Sequence, residues 1–416
     1  MLKRDRPPPG FDAIAMEREV RNVLAEKVRD NHRFSKLFES TRGFFGCRPG
    51  NAWGLSRRKW IERFVRIKTK GGLIVPLILN ASQRQLEAEI LRMERAGVPV
   101  RIIILKARQQ GFSTYIAALE FWYSCTHAHG RSCIIAHKRD ISKVIFEKLV
   151  MMLTEMKKND GSPWLLHASR KSQGQLHLGD PINGQVIVES AEVDEPLRGE
   201  TIQVLHISEG PIWPDADRKA DAVAQALPDE VGTYGFNEAT ANGDSGWFAR
   251  EFRRAWRENR MGRAVQHGWR GFFAPWYWDQ TYRWSHMTGS PPDADLALAI
   301  GSTLTAEETA LLQTEYTGRR RGAVKVDLDQ RAWRRHTIRE KCRNSLDAFH
   351  QEYPATPDEA FLSSGQPFFE PLLIAREREL GVREPVFVGE LVDLAAEAKM
   401  SRRPVAVGEI GNSEEL

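Results

Sequence analysis

The residues best suited to chemistry form a loop between an apolar run and a helical pattern, KARQQGFST from Lys106 to Thr114. Two cations, Lys106 and Arg108, precede Gly111, and Ser113 follows it. A glycine-containing loop before a helix can surround phosphates with backbone N–H groups, while a hydroxyl at the helix start reaches Mg²⁺. The stretch therefore indicates a site for ATP and Mg²⁺, and a strand-to-helix connection without a ligand is the alternative.

The loop matches the common phosphate-loop pattern G-x-x-x-x-G-K-[ST] only in part. Gly111 and Ser113 fit it. Lys106 stands where the first glycine is expected, and Phe112 stands where the phosphate-binding lysine is expected. Because phosphates need a cation, we expect Arg108 to supply it, since a guanidinium can grip two phosphate oxygens. Lys106 is the second possibility.

A glutamine one element earlier, Gln83, lies near the start of a helical pattern from Asn80 to Arg95. Its amide, like that of Gln85, offers a donor and an acceptor that could bond an adenine edge, and an exposed helical glutamine is the alternative. The residues expected to contact the nucleotide are Lys106, Arg108, Gln109, Gln110, Gly111, Phe112, Ser113, Thr114 and Gln83.

An acid closes a second apolar run, TIQVLHISE, which ends with Ser208 and Glu209. In open α/β sheets ligands lie beyond the carboxyl ends of the strands, so we expect Glu209 on the same rim as Ser113. A carboxylate there can orient or deprotonate the attacking water, and a serine hydroxyl can hold a metal-bound water. Ser113, Ser208 and Glu209 are therefore the predicted metal contacts. Glu209 is the only acid at this strand tip, and an ordinary strand-end glutamate is the alternative.

A third apolar run, YGFNEAT, ends at Thr240 and is followed closely by Asn242. Both residues carry hydrogen-bonding groups on the predicted nucleotide rim. Groups in that place can sense a γ-phosphate and transmit its loss to other parts of the chain. We therefore predict a coupling role for Thr240 and Asn242.

These side chains need a scaffold that brings several strand ends together. The predicted strands are the apolar runs at 102–105, 132–137, 184–192, 201–209 and 234–240. The predicted helices lie at 80–95, 113–124, 140–157, 217–227, 247–260 and 305–316. Residues 60–79 are predicted to form a hairpin around two glycines. This alternation predicts an α/β domain with a mostly parallel sheet flanked by helices.

The composition is ordinary for a soluble globular protein, with 41% hydrophobic and 28% charged residues among 416. No apolar run reaches membrane length, the N-terminus lacks a secretory signal, and the four cysteines are expected to be free thiols. The net charge is +5, and arginines cluster beside tryptophans at 253–260 and 331–335. Such clusters suit a nucleic-acid backbone, and solvated helix faces are the alternative.

Taken in order, five motifs resemble the large terminase subunit of tailed bacteriophages, a DNA-packaging motor ATPase. They are KARQQGFSTY, RG with LHISE, EATANG, FFAPW and FHQEYPATPDEAF, within residues 80–370. In one branch of that family, the Mu-like branch, Ser-Glu replaces Asp-Glu, as at Ser208 and Glu209. The chain is therefore similar to that family over most of its length.

The resemblance implies a P-loop NTPase fold of the RecA/ASCE-like type at 61–370, with an N-terminal adaptor arm at 1–60. Residues 371–416 would be a tail towards a nuclease domain that we expect to be absent from this chain, so DNA cleavage is not expected. The implied activity is ATP hydrolysis with Mg²⁺ that moves double-stranded DNA into a preformed capsid. Arg198, in the RG motif, becomes a candidate arginine finger.

The resemblance also implies partners and a location. The partners would be a portal protein, a small terminase subunit and further copies of the chain in a ring, with no membrane. The chain would act in the host cytoplasm and transiently at the portal vertex. Two alternatives remain: a helicase-like DNA-dependent ATPase, which should carry a second RecA-like lobe, and a non-catalytic prophage relic, which should lack DNA-stimulated ATPase activity.

Overall fold

The computed structural model describes residues 56–69, 71–158, 168–172, 174–179, 182–194, 196–197, 199–241, 243, 246–260, 268–313 and 326–361. All of them lie in the first of two units into which the chain divides, Met1–Gln366 and Pro367–Leu416. The predicted tail, 371–416, and nearly all of the predicted arm, 1–60, lie outside the described residues. The domain boundaries therefore stay predictions.

An eight-stranded sheet forms the centre of the described structure, and a separate hairpin precedes it in sequence. The strands are β1 (Arg66–Lys68), β2 (Ile74–Pro76), β3 (Val100–Lys106), β4 (Arg131–Ala136), β5 (Ala168–Ser172), β6 (Gln175–Leu178), β7 (Gln185–Ser190), β8 (Val204–Ser208), β9 (Tyr234–Ala239) and β10 (Arg270–Ala274). The sheet order is β10-β3-β9-β8-β4-β7-β6-β5. The strands from β10 to β7 run parallel, and β6 and β5 extend the β7 edge antiparallel. The prediction of a mostly parallel α/β sheet is confirmed.

Helices connect and cover these strands. They are α1 (Arg57–Phe64), α2 (Ala81–Ala96), α3 (Phe112–Thr126), α4 (Arg139–Lys158), α5 (Ala216–Ala224), α6 (Trp247–Arg260), α7 (Trp284–Thr288), α8 (Ala294–Ser302), α9 (Ala306–Gln313), α10 (Leu328–Glu340), α11 (Leu346–Glu352) and α12 (Pro357–Ala360). Within the described ranges, no helix combines the length and the apolar character needed to cross a membrane.

Strand β3 shows why the sheet is covered on both faces, since all of its residues are buried. Ile102 and Ile104 join the apolar cluster that includes α3, whereas Ile103 and Leu105 join the cluster that includes α6. Side chains alternate between the faces of a strand, so each face of β3 needs its own helical layer. The same alternation puts Lys106, the last residue of β3, on the side of α3.

The hairpin prediction is correct only in its second half. Strands β1 and β2 pair antiparallel around the turn that contains Gly72. Trp60 to Phe64, however, belong to α1, which Ser56 caps with its side chain. Trp60, Ile61 and Phe64 are buried at helical spacing, so tertiary packing favours a helix there. Strands β5, β6 and β10 are absent from the predicted strands. The sequence of β5, ASRKS, has no apolar run.

Candidate functional site

The candidate site lies where three neighbouring parallel strands end. Strand β9 pairs with β3 on one side and with β8 on the other. The last residue of β3 is Lys106, Glu238 lies one residue before the end of β9, and Glu209 follows β8 directly. The topology therefore brings these three side chains to one rim, which sequence spacing alone does not determine.

The loop from β3 to α3 presents backbone N–H groups at this rim. Gly111 precedes α3 in the left-handed region, with φ 78°, and no side chain caps the helix. The first backbone bond of the helix runs from the Tyr115 N–H to the Gly111 carbonyl, at 3.1 Å. The N–H groups before Tyr115 therefore have no partner inside the helix, and the helix dipole favours an anion beside them.

The start of α2 holds the loop in place. The Asn80 side chain donates to the Gln110 carbonyl at 3.0 Å, and Gln83 Nε2 donates to the Gly111 carbonyl at 2.8 Å. Gln83 Oε1 also accepts from the Asn80 N–H at 3.0 Å, so both ends of its amide are used within the protein. The structure thus makes Gln83 a support of the loop. Gln83 is 3% exposed, so it is not the exposed helical glutamine of the alternative, and its contact with an adenine edge stays a prediction.

Side chains of the loop are largely turned into the protein. Phe112 is 1% exposed and packs edge-on against Phe272, with ring centroids 5.9 Å apart. Gln110 is also buried, and its Nε2 donates to the Pro275 carbonyl at 2.6 Å. Gln109 is exposed and has a positive φ of 58°. A ligand can therefore meet Phe112 and Gln110 only through their backbone, and Phe112 does not fill the rim.

A buried lysine lies between two carboxylates at the rim. Lys106 Nζ is 3.0 Å from Glu209 Oε1 and 3.1 Å from Glu238 Oε2. Burial alone would lower the pKa of Lys106, but Glu238 and Glu209 outweigh burial and raise the pKa above its ordinary value. Lys106 is therefore a permanent cation at the centre of the site. We call Lys106, Glu209 and Glu238, with Ser113 and Ser208, the rim cluster.

Glu238 is missing from the predicted site, although it is the most connected member of the rim cluster. Its Oε1 accepts from the Ser113 hydroxyl at 2.6 Å and from the Ser208 hydroxyl at 3.1 Å, and His206 Nε2 lies 3.3 Å away. Burial opposes ionisation of Glu238, but Lys106, His206 and Ser113 together outweigh it and lower its pKa to about 2. An acid inside the apolar run YGFNEAT is a usable signal, because buried carboxylates need partners.

Glu209 has an uncommon backbone and a more open side chain. Its φ of 54° and ψ of 45° lie in the left-handed region, which non-glycine residues rarely occupy and which is frequent at functional sites. Its N–H donates to the Glu238 carbonyl at 2.8 Å. Its Oε2 accepts from the N–H and the hydroxyl of Thr240 at 3.3 and 3.4 Å. With its side chain 29% exposed, Glu209 can meet water.

The predicted coupling pair and arginine finger are described only in part. Thr240 contacts Glu209 directly, so the predicted phosphate sensor touches the predicted water-orienting acid. Asn242 and Arg198 lie outside the described residues, and their roles stay predictions. Ser113 and Thr114 are half-buried in the first turn of α3, and their contact with a nucleotide stays a prediction.

The two candidate cations have different surroundings, and the choice of Arg108 as the phosphate-binding cation stays a prediction. The Arg108 side chain is 58% exposed and pairs with Glu352 at 3.0 Å, away from the rim cluster. Its backbone N–H also donates to the Glu352 carbonyl, at 2.9 Å, and its carbonyl accepts from the Tyr282 hydroxyl. These contacts fix Arg108 on α11. Lys106, the second possibility in the sequence, is the cation that lies beside the acids.

The donor set of the rim fits Mg²⁺. It consists of carboxylate and hydroxyl oxygens, which are the ligands that hard cations prefer. Among the described residues, no group of three or more His, Cys, Asp or Glu side chains could hold a metal alone. Mg²⁺ commonly takes one or two carboxylates and completes its shell with water and phosphate oxygens, so a small protein contribution is sufficient.

Comparisons with known proteins give weak structural similarities. No protein-family model and no curated protein matches the sequence. The large terminase ATPase domain of Thermus phage P74-26 is 18% identical, with a TM-score of 0.35, over 52% of this chain and 88% of that domain. The large terminase of bacteriophage HK97 is 18% identical, with a TM-score of 0.40, over 67% of this chain. The match spans 54% of the HK97 protein.

Proposed function

We propose that the chain hydrolyses ATP at this rim as the ATPase part of a phage large terminase subunit. The observation that carries the proposal is the 3.0 Å contact between Lys106 and Glu209 beside the N-terminus of α3. Phosphoryl transfer to water depends on a cation and N–H groups that hold the phosphates and on a group that orients the water. The rim cluster and the loop together supply all three.

Each residue has a defined task in this proposal. The loop N–H groups from Gln109 to Thr114, with Lys106, bind the phosphates. Ser113 is the first metal contact, with Ser208 and Glu209 as the other predicted ones, and Mg²⁺ when bound neutralises charge on the phosphate oxygens. Glu209 orients the attacking water and accepts its proton, because it is the half-exposed carboxylate at the rim.

The motor part of the proposal is supported by the order of the five sequence motifs. Hydrolysis would move double-stranded DNA into a capsid, with a portal protein, a small terminase subunit and a ring of identical chains as partners. Thr240 and Asn242 would report loss of the γ-phosphate, and Arg198 would act as an arginine finger in its own or a neighbouring subunit. The Mu-like branch and a location in the host cytoplasm, transiently at the portal vertex, belong to the same proposal.

The test is the ATPase rate with and without DNA. Wild-type protein should hydrolyse ATP, and double-stranded DNA should raise the rate. Glu209→Gln should keep nucleotide binding and lower turnover by about 10²- to 10⁴-fold, the usual contribution of a general base. Glu192→Gln is the matched control, because Glu192 also lies just beyond the carboxyl end of a strand, β7, and its hydrogen bonds join it to Arg139 and Ser190.

The outcomes separate the alternatives. A wild-type protein that binds no nucleotide would overturn the ATPase proposal and favour the relic. Greater stimulation by single-stranded than by double-stranded DNA would favour a helicase-like enzyme. Retained turnover in Glu209→Gln would remove Glu209 from its role while leaving the ATPase proposal intact.

A further inference from the structure

The tip of β8 offers little to a metal. It ends in Ser208, which has a hydroxyl and no charge, and Ser208 pairs in register with Glu238 of the neighbouring strand β9. Glu238 Oε1 accepts hydrogen bonds from both the Ser208 and the Ser113 hydroxyls. A full negative charge therefore lies one strand over from the predicted position, in direct contact with the serine at the start of α3.

We propose that Glu238 is the carboxylate that holds the nucleotide's Mg²⁺, together with Ser113, in place of the acid that position 208 lacks. This inference rests on the proposed ATPase function and names the metal-binding acid of that site. Glu209, which has been one of the predicted metal contacts, is then left to act on water.

The first argument is position. The Ser113 hydroxyl lies 2.6 Å from Glu238 Oε1, so a cation bound by the Ser113 oxygen lies next to this carboxylate. Contact can be direct or through a metal-bound water, since Mg²⁺ keeps several of its waters. His206 Nε2, 3.3 Å from the same oxygen, supports the carboxylate from β8.

The second argument is charge. Glu238 is fully buried, and Lys106 is the cation that neutralises it. Among the described residues, its Oε2 has this ion pair but no aligned hydrogen-bond donor. If phosphates draw Lys106 towards themselves, Glu238 loses its partner, and an uncompensated buried charge is costly. A divalent cation that arrives with the nucleotide restores the balance.

The third argument is the contrast with Glu209. Both Glu209 oxygens have partners, Lys106 on one and Thr240 on the other, and the side chain is part exposed. Those features suit a group that meets water and senses the state of the phosphates. The two acids of the rim cluster thus have different roles: Glu238 binds the metal, and Glu209 orients the water.

The test measures how Mg²⁺ changes nucleotide affinity, which does not depend on turnover. A fluorescent ATP analogue is titrated into wild-type, Glu238→Gln, Glu238→Asp and Glu209→Gln proteins, with Mg²⁺ or with EDTA. In Glu238→Gln the Mg²⁺ concentration needed for half-maximal tightening should rise at least about tenfold, with affinity in EDTA nearly unchanged. Glu238→Asp keeps the charge, and its Mg²⁺ requirement should lie between those of the wild type and Glu238→Gln. This variant keeps the test valid if Glu238→Gln folds poorly. Glu209→Gln should keep the wild-type Mg²⁺ dependence.

A relocated acid gives a stronger version of the test. Ser208→Asp combined with Glu238→Ser returns the carboxylate to the tip of β8 and should recover much of the Mg²⁺ dependence that Glu238→Ser alone loses. Unchanged Mg²⁺ dependence in both Glu238→Gln and Glu238→Asp would overturn the metal assignment and leave the ATPase proposal standing. Failure of the wild-type protein to bind the nucleotide at all would overturn both.

Discussion

Two buried clusters of charge in the part of the chain that the structure describes differ in a way that bears on function. The first, which we call the interior cluster, joins α1, α2, α3 and β9 through Arg57, Glu87, Glu94, Tyr115 and Tyr234. Arg57 donates to Glu87 Oε2 at 3.0 and 2.8 Å and to Glu94 Oε1 at 2.5 Å. The hydroxyls of Tyr115 and Tyr234 bond to the same two carboxylates. The second is the rim cluster around Lys106.

The two clusters differ in completeness and access, not in the kind of residue. The Arg57 side chain is 2% exposed and its charge is shared between two carboxylates that also accept tyrosine hydroxyls. In the rim cluster, Glu238 Oε2 lacks an aligned donor and Glu209 is part exposed. A buried ion pair alone is weak evidence of function, because it can serve structure. Incomplete bonding beside an open helix N-terminus is what distinguishes the rim.

The largest expected effect comes from a substitution that breaks the interior cluster. Arg57→Met should lower the free energy of unfolding by about 3 to 5 kcal/mol, because it leaves Glu87 and Glu94 without their buried cation. Arg58→Met is the matched control: Arg58 is 43% exposed, pairs with Glu62 at 2.8 Å, and should cost less than about 1 kcal/mol. Urea unfolding followed by circular dichroism measures both. A similar loss in the two variants would contradict a structural role for the interior cluster.

The next prediction concerns pH at the edge of the interior cluster. The His127 ring stacks on Tyr123 with centroids 3.9 Å apart, and burial, with the charge of Arg57, lowers its pKa from 6.5 to about 4. Between these values the unfolded chain binds a proton that the folded protein does not, so stability should fall as the pH drops from about 6.5 to 4. The loss should be no more than about 3 kcal/mol.

Variants of neighbouring histidines test this assignment. His127→Asn should remove this part of the pH dependence, because the titrating group is gone. His129→Asn is the control, since His129 is exposed and its positive φ of 56° is one that asparagine tolerates. The measurement is the urea midpoint between pH 7 and pH 4. If the His127 variant loses stability with acid as steeply as wild type, the acid sensitivity arises elsewhere.

Much of the fold follows from local patterns in the sequence. The buried run of β3 and the helix after Gly111 both appear where composition and spacing predict them. Glu209 appears at the rim because a strand end is a local property. The hairpin at 60–79 is only half correct, because the burial of Trp60 and Phe64 in α1 depends on distant packing.

The details of the site depend on strand order, which local patterns do not contain. Glu238 becomes central only because β9 lies between β3 and β8, so its side chain falls between Lys106 and Ser208. Arg108 is the better phosphate ligand by chemical type, yet α11 holds it through Glu352. Residue type therefore predicts a phosphate site, and topology decides which side chains lie together at its predicted place.

The smallest expected effect is a change in nucleotide affinity, and it decides whether Lys106 or Arg108 binds the phosphates. Lys106→Met should weaken binding of a fluorescent ATP analogue by about 1.5 to 3 kcal/mol, the usual value of a hydrogen bond to a charged group. Arg108→Met should change it by less than about 1 kcal/mol, because it breaks an exposed pair with Glu352. Urea unfolding of both variants serves as the control. Lys106→Met should also lower stability, because it leaves the buried Glu238 without its cation, so the affinities are compared where both variants are folded.

If Arg108→Met weakened nucleotide binding more than Lys106→Met, the phosphate would be assigned to the Arg108 guanidinium, as residue type alone predicts. Lys106 would then be a structural cation like Arg57, and the rim cluster would differ from the interior cluster only in its exposure. Equal and small effects in both variants would instead assign the phosphate to the loop N–H groups alone. The difference in nucleotide affinity between Lys106→Met and Arg108→Met therefore tests whether a ligand binds at the incompletely hydrogen-bonded rim cluster.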